Sequence, residues 1–167
     1  MTAADLRVAR ERMRVSLVTL KDVYGITGSF VFTSAGDLVA RELPPMFDDT
    51  ALGEASSRLT RLQETFAAAG DQLDVAVLRF RDYKLFVKTL PAGALCILSD
   101  GAVNMPALRM AASLVGRRIA PALDTLAAAP ASVLAEVDAP PAPAPAAHAP
   151  PPLAPPGMRR FRGRTVE

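Results

Sequence analysis

Between Leu73 and Ser99 the chain reads LDVAVLRF, YKLFVKTL and GALCILS, three apolar runs separated only by Arg81-Asp82 and Pro91-Ala92. β-branched and aromatic residues favour the extended state, and Pro, Asp and Ala-Gly steps supply turns. Two residues can reverse a strand, but a parallel crossover needs roughly a dozen. The three runs therefore predict an antiparallel meander. All three are apolar at both alternating positions, so both faces of the sheet are expected to be covered, and helices are the natural cover.

The rest of the chain supplies those helices and two more strands. In residues 4–24, Leu6, Met13, Leu17, Leu20 and Tyr24 recur at helical spacing between arginines, and Gly25 is the expected stop because it tolerates a left-handed backbone. ITGSFVFT and LVAREL flank the turn residues SAGD and read as a hairpin. Asp48, Asp49 and Thr50 can cap a second helix with the stripe Leu52, Ala55, Leu59, Leu62 and Phe66, which places Glu54, Arg58, Arg61 and Thr65 on the opposite side; Gly70 ends it. Asn104 and Pro106 open a third helix, with Leu108, Ala112, Val115, Ile119, Ala122 and Leu126 as its stripe. Pro121 is expected to kink or end that helix near Arg117 to Ala120, because its ring clashes with the carbonyl four residues back. The predicted class is α+β, an α/β sandwich with element order α-β-β-α-β-β-β-α and helices on both faces of a five-stranded antiparallel sheet.

Ten of the 15 prolines fall between Pro130 and Pro156. That composition buries too little apolar surface to offset the entropy of ordering. The organisation expected is a domain over 1–128, a disordered Pro/Ala-rich linker over 129–156, in which ASVLAEV has some helical character, and a basic tail over 157–167. Residues 1–156 carry 15 Lys/Arg against 16 Asp/Glu, whereas the last eleven carry four Arg against one Glu. The basic character thus resides in the tail, and the folded part offers no basic stripe for nucleic acid. No run reaches the ~18 apolar residues of a membrane helix, and no signal sequence opens the chain. With a single cysteine, Cys96, and no internal disulfide, the cytoplasm is the expected compartment.

No group of residues suits catalysis, metal or cofactor. The only histidine, His148, lies in the Pro/Ala segment, and Cys96 sits in an apolar strand where burial keeps a thiol protonated and inert. Asp48-Asp49 reads as a helix cap rather than a metal site, and no Gly-x-x-x-x-Gly-Lys-Ser/Thr loop is present to cradle a nucleotide. A small-ligand sensor would need an internal pocket with orienting polar groups, which these apolar strands do not provide.

Three segments carry a family resemblance: GITGSFVFTSAGDLVA (25–40), with a Gly-x-x-Gly lead into the first strand and a Gly-Asp turn; LFVKTLPAGALCILSD (85–100), with a Gly-x-Leu strand; and NMPALRMAASLVGRRI (104–119), with an Asn-x-x-x-Arg helix opening. Over about residues 5–126 the chain resembles the roadblock/dynein light chain family, in particular its bacterial MglB-like branch. The resemblance implies a non-enzymatic homodimer whose subunits pair strand edge to strand edge with their second helices side by side. Leu73, Val75, Val77 and Arg79 would form that edge, and Leu59 and Leu62 would contribute from the helix. An open edge as apolar as LDVAVLRF would otherwise invite aggregation. The resemblance further implies that Glu54, Arg58, Arg61 and Thr65 face a small Ras-like GTPase, which the dimer binds and regulates; some bacterial members stimulate hydrolysis without donating an arginine. Taken alone, those four residues also fit a plain solvated face.

A different task is written in the tail. Arg159, Arg160, Phe161, Arg162 and Arg164 suit an acidic protein groove, a filament, an anionic membrane or nucleic acid, with Phe161 supplying apolar burial or base stacking, tethered by the Pro/Ala spacer. On this alternative the domain is a scaffold and the tail the recruiting motif. A merely solubilising basic end fits the same residues.

Overall fold

The computed structural model describes residues 2–129. Helix α1 (Ala3–Val18) starts at Thr2, whose hydroxyl accepts from the Asp5 N–H at 3.3 Å while the Asp5 carboxylate accepts from the Thr2 N–H at 2.8 Å. This reciprocal cap satisfies two otherwise orphaned donors. The Thr2 N–H and the Thr2 hydroxyl, each donating to the Asp5 carboxylate at 2.8 Å, hold that carboxyl below its ordinary pKa. Leu6, Met13 and Leu17 are buried along α1, and Thr19–Asp22 then tightens into a 3-10 turn. The regular helix is therefore shorter than the expected 4–24. Tyr24, expected on its buried stripe, is 82% exposed. The tighter turn advances each residue by about 120° rather than 100° and swings the later ones off the stripe. Gly25 takes the left-handed backbone at φ 86°, and a Cβ there would lie 2.8 Å from the Cα of Val103.

Strands β1 (Ile26–Thr33) and β2 (Leu38–Glu42) form the expected hairpin, and α2 (Asp49–Ala68) follows. The meander is β3 (Val75–Arg79), β4 (Tyr83–Leu90) and β5 (Gly93–Asp100), and α3 (Met105–Ala127) closes the described chain. The five strands lie in the order β2-β1-β5-β4-β3, each antiparallel to its neighbours. β5 is central, and all but its last residue are buried. A Cβ on Gly93 would fall 2.0 Å from the Phe32 carbonyl oxygen, so only glycine lets β5 begin against β1.

Two cores flank the sheet. Leu6, Met13 and Leu17 of α1 and Leu108, Ile119 and Leu126 of α3 pack against Val31, Phe86, Leu95 and Ile97. On the other face Leu52 and Leu59 of α2 meet Phe30, Phe32, Val87, Cys96 and Leu98. The expected cover on both faces is present over the central strands. It fails at β3, which is shorter than the expected 73–80 and leaves Val75 and Val77 exposed by 39% and 38%. A bulge at Val39 lets consecutive residues, Val39 and Ala40, enter the α1/α3 core from β2.

Helix α3 runs through Pro121 instead of ending before it. Pro121 is on the exposed side, as is Arg117, whose carbonyl loses its bond, so the lost hydrogen bond faces water rather than core. Asn104 caps the helix with a 3.1 Å bond from the Ala107 N–H, as expected. Past Ile119 the buried stripe continues through Leu123 and Leu126, with Ala122 only partly buried.

Candidate interaction surface

α2 separates into two chemically opposite faces. Asp48 caps it, accepting from the Ala51 N–H at 2.7 Å, and Asp49 pairs with Arg41 at 3.1 Å. The inner face buries Leu52, Ser56 and Leu59, so Ser56 takes the place expected of Ala55; its hydroxyl donates to the Leu52 carbonyl at 2.8 Å and is thereby satisfied. Leu59 thus belongs to the core between α2 and the sheet. Leu62 is partly buried and Phe66 is 39% exposed, because neither belongs to the α2 core that Leu52 and Leu59 form with the sheet.

Glu54, Arg58, Arg61 and Thr65 are all exposed on the outer face. Arg58 and Glu54 meet at 3.4 Å, and the Thr65 hydroxyl donates to the Arg61 carbonyl at 2.8 Å. An exposed pair four residues apart contributes only about 0.3–0.5 kcal/mol, so these side chains are not what holds the domain together.

The second part of the surface is β3, an outer strand bonded to β4 alone. Val75, Val77 and Arg79 lie on the α1/α3 face of the sheet, opposite Lys88, Phe86 and Lys84, while Ala76 and Leu78 pack into the α2 core. Leu73 lies ahead of the strand, and its carbonyl accepts from the Thr89 hydroxyl. Thr89 in turn accepts from the Gln63 amide at 2.8 Å. This chain fastens the end of α2 to the start of β3, so the polar helix face and the apolar strand edge are held in one geometry. Sequence reasoning missed Phe80 and Tyr83, exposed aromatics beside the β3–β4 turn. Two aromatics flanking a two-residue charged turn were the available signal.

A surface cleft of about 530 Å³ opens between the end of α2 and the strand ends, lined by Thr60, Gln63, Glu64, Asp71, Asp74 and Thr89 among others. It is open to solvent and reaches the α1/α3 core at Leu90. Cys96 is fully buried, and desolvation pushes its thiol pKa up. No group of three His, Cys, Asp or Glu among the described residues could hold a metal ion, and no described helix is long and apolar enough to cross a membrane. His148 and the tail residues Arg159, Arg160, Phe161, Arg162 and Arg164 lie outside the described residues.

No protein-family model matches the sequence, and no curated protein matches it. The structure is similar to that of Myxococcus xanthus MglB, with a TM-score of 0.62 and 11% identity over 70% of this chain and 91% of that one. It is similar to a roadblock/LC7 domain from Streptomyces avermitilis, with a TM-score of 0.58 and 15% identity over 66% of this chain and 97% of that one. It is also similar to an MglB solved in a tetrameric arrangement, with a TM-score of 0.59 and 14% identity over 70% and 91% of the two chains.

Proposed function

From the roadblock/LC7 fold that this chain has, we infer a non-enzymatic interaction protein: a homodimer joined through β3 that binds a small Ras-like GTPase and regulates it. The observation that carries this reading is an unsealed apolar edge, Val75 and Val77, on a strand whose other face is packed in the α2 core, together with the exposed polar outer face of α2. An open edge of this kind is a hazard for a lone subunit and a seam for a pair. Joining two β3 edges makes one continuous ten-stranded sheet and brings the two α2 helices side by side, with Leu62 and Phe66 available between them. The outer faces of α2, carrying Glu54, Arg58, Arg61 and Thr65, then form one broad platform. The tetrameric arrangement reported for an MglB of the same fold supports self-association of such a domain.

Such a platform acts on its partner by contact rather than by chemistry: it can hold one conformation of a GTPase by binding it better than the other, and the shift it produces equals that difference in affinity. The test is capture of small Ras-like GTPases encoded beside this chain, each loaded with GDP or with a non-hydrolysable GTP analogue, followed by single-turnover hydrolysis. Binding in one nucleotide state is expected. Absence of binding in both states refutes the reading.

A further inference from the structure

The nearly even charge of residues 1–156 hides a segregation that the fold exposes. Helices α1 and α3 pack side by side on one face of the sheet and together hold seven arginines against three acids. Residues 48–74, which form α2 and its flanks on the opposite face, hold two arginines against six acids. The domain therefore carries a charge dipole across its sheet. Arg7, Arg12, Arg14, Arg109, Arg117 and Arg118 are exposed on the basic layer, and of these six only Arg14 is ion-paired among the described residues, to Glu11 at 3.7 Å. Asp5 is engaged in capping its own helix, so little negative charge opposes the arginines.

Apolar side chains stand among these arginines. Val8 and Val15, two turns apart on α1, and Met110 and Leu114, one turn apart on α3, are all at least 46% exposed. Such spacings keep each pair on one side of its helix, turned away from the buried Leu6, Met13 and Leu17 and from Leu108, Ala112 and Ile119. Neither helix contains an aromatic residue. Protein partners are anchored chiefly by aromatic groups in desolvated pockets poor in charge, and a nucleic-acid backbone has no use for isolated aliphatic groups. Aliphatic side chains ringed by arginines fit a bilayer interface instead: guanidinium groups reach lipid phosphates while the aliphatic groups enter the acyl boundary.

We propose that the α1/α3 layer is a docking face for an anionic lipid surface, with Arg12, Arg117 and Arg118 against headgroup phosphates and Val8, Val15, Met110 and Leu114 at the acyl boundary. The acidic α2 side is then turned to solvent, so the charge dipole sets the orientation of the domain as well as its attachment. One subunit carries the whole face, and the docking therefore stands apart from the GTPase reading. Where two subunits pair through β3 about an axis normal to the sheet, both basic layers lie on one side and the α2 platforms face away from the lipid.

The test is co-sedimentation of the full chain with vesicles of phosphatidylcholine alone and of phosphatidylcholine with about one third phosphatidylserine. Arg159, Arg160, Arg162 and Arg164 are changed to Gln in every arm, so that the folded face is read without the tail. Binding is expected to the mixed vesicles only, and it weakens as salt is raised. Arg117→Glu with Arg118→Glu lowers the partition coefficient at least tenfold. Arg7→Glu with Arg12→Glu on the other helix does the same, which keeps the test decisive if circular dichroism shows one pair unfolded. Val15→Ser with Leu114→Ser lowers it at least threefold at unchanged charge. Absence of binding to the mixed vesicles overturns the proposal, as does binding that survives both arginine pairs. Loss on charge reversal with the Val15 and Leu114 pair silent also overturns it, because the face would then belong to another polyanion, an acidic protein or a nucleic acid.

Discussion

Val77→Asp is the substitution that bears hardest on the dimer. A two-fold axis normal to the sheet leaves each residue on its own face, and directly opposed residues in an antiparallel pair share a face. A β3 residue can then oppose only its equivalent or one an even number of positions away. Centring the axis on Ala76 would set Asp74 against Leu78 on the α2 side, and centring on Leu78 would set Asp74 against Asp82. Centring on Val77 avoids both and opposes Val77 to itself. Fully burying a valine contributes at least about 1.5 kcal/mol, so covering the 38% of Val77 still exposed gives ~0.6 kcal/mol per copy and about 1.2 for the pair. Two carboxylates held about 5 Å apart across the axis repel by ~1 kcal/mol in water and about 3 at an effective dielectric of 20. The sum, roughly 2–4.5 kcal/mol, weakens the dimer by about 30-fold to over 1,000-fold. Sedimentation equilibrium over a concentration series measures it, with circular dichroism to verify that the domain remains folded. Val77→Cys sharpens the register, since opposed Cα atoms at ~4.5–5.5 Å lie within disulfide reach. It is expected to cross-link the dimer, whereas Val75→Cys, opposed to Arg79, is not. A Val77→Asp dissociation constant within threefold of wild type would refute the reasoning, as would a wild-type protein that is monomeric at micromolar concentration.

Reversing Arg58 and Arg61 to Glu is expected to weaken capture of the GTPase at least tenfold while moving the melting temperature by less than 2 °C, because their bonds contribute only a few tenths of a kcal/mol; a large fall in melting temperature would make them structural. Gly93→Ala drives a methyl into the Phe32 carbonyl at 2.0 Å and should cost over 2 kcal/mol in urea unfolding, with wild-type stability as the opposing result. Cys96 should resist a thiol reagent until the chain unfolds. Its folded pKa is raised, so above the ordinary thiol value of about 8.5 the unfolded state loses a proton that the folded state keeps, and stability falls by up to ~1.4 kcal/mol per pH unit. Unfolding compared between wild type and Cys96→Ala isolates this slope, and identical slopes would contradict it.

The strands were legible because two-residue connectors leave a chain no topology but a meander, and the helix starts because Asp48 and Asn104 have short side-chain oxygens in the right place. What remained hidden depends on distant partners. LDVAVLRF is as apolar as YKLFVKTL, yet strand order puts the first at the margin and the second inside. Pro121 was read by its local clash, but its harm depends on which side of α3 meets water. Tyr24 was placed by counting a helical period that a 3-10 turn had already broken. For the interaction surface, the spacing of Glu54, Arg58, Arg61 and Thr65 was enough to place them together on the open side. Leu59 looked like Leu62 in sequence, and only the sheet beneath α2 separates core from rim.

The bulge at Val39 makes the two margins of the sheet unequal. One margin, β3, is regular and suits pairing with a copy of itself; the other, β2, carries a bulge of the kind that turns an edge away from further pairing. In the dimer proposed above, subunits with a single usable seam would saturate each other on first meeting. Growth would then stop at a closed count, with a fibre of these domains denied by geometry rather than by concentration.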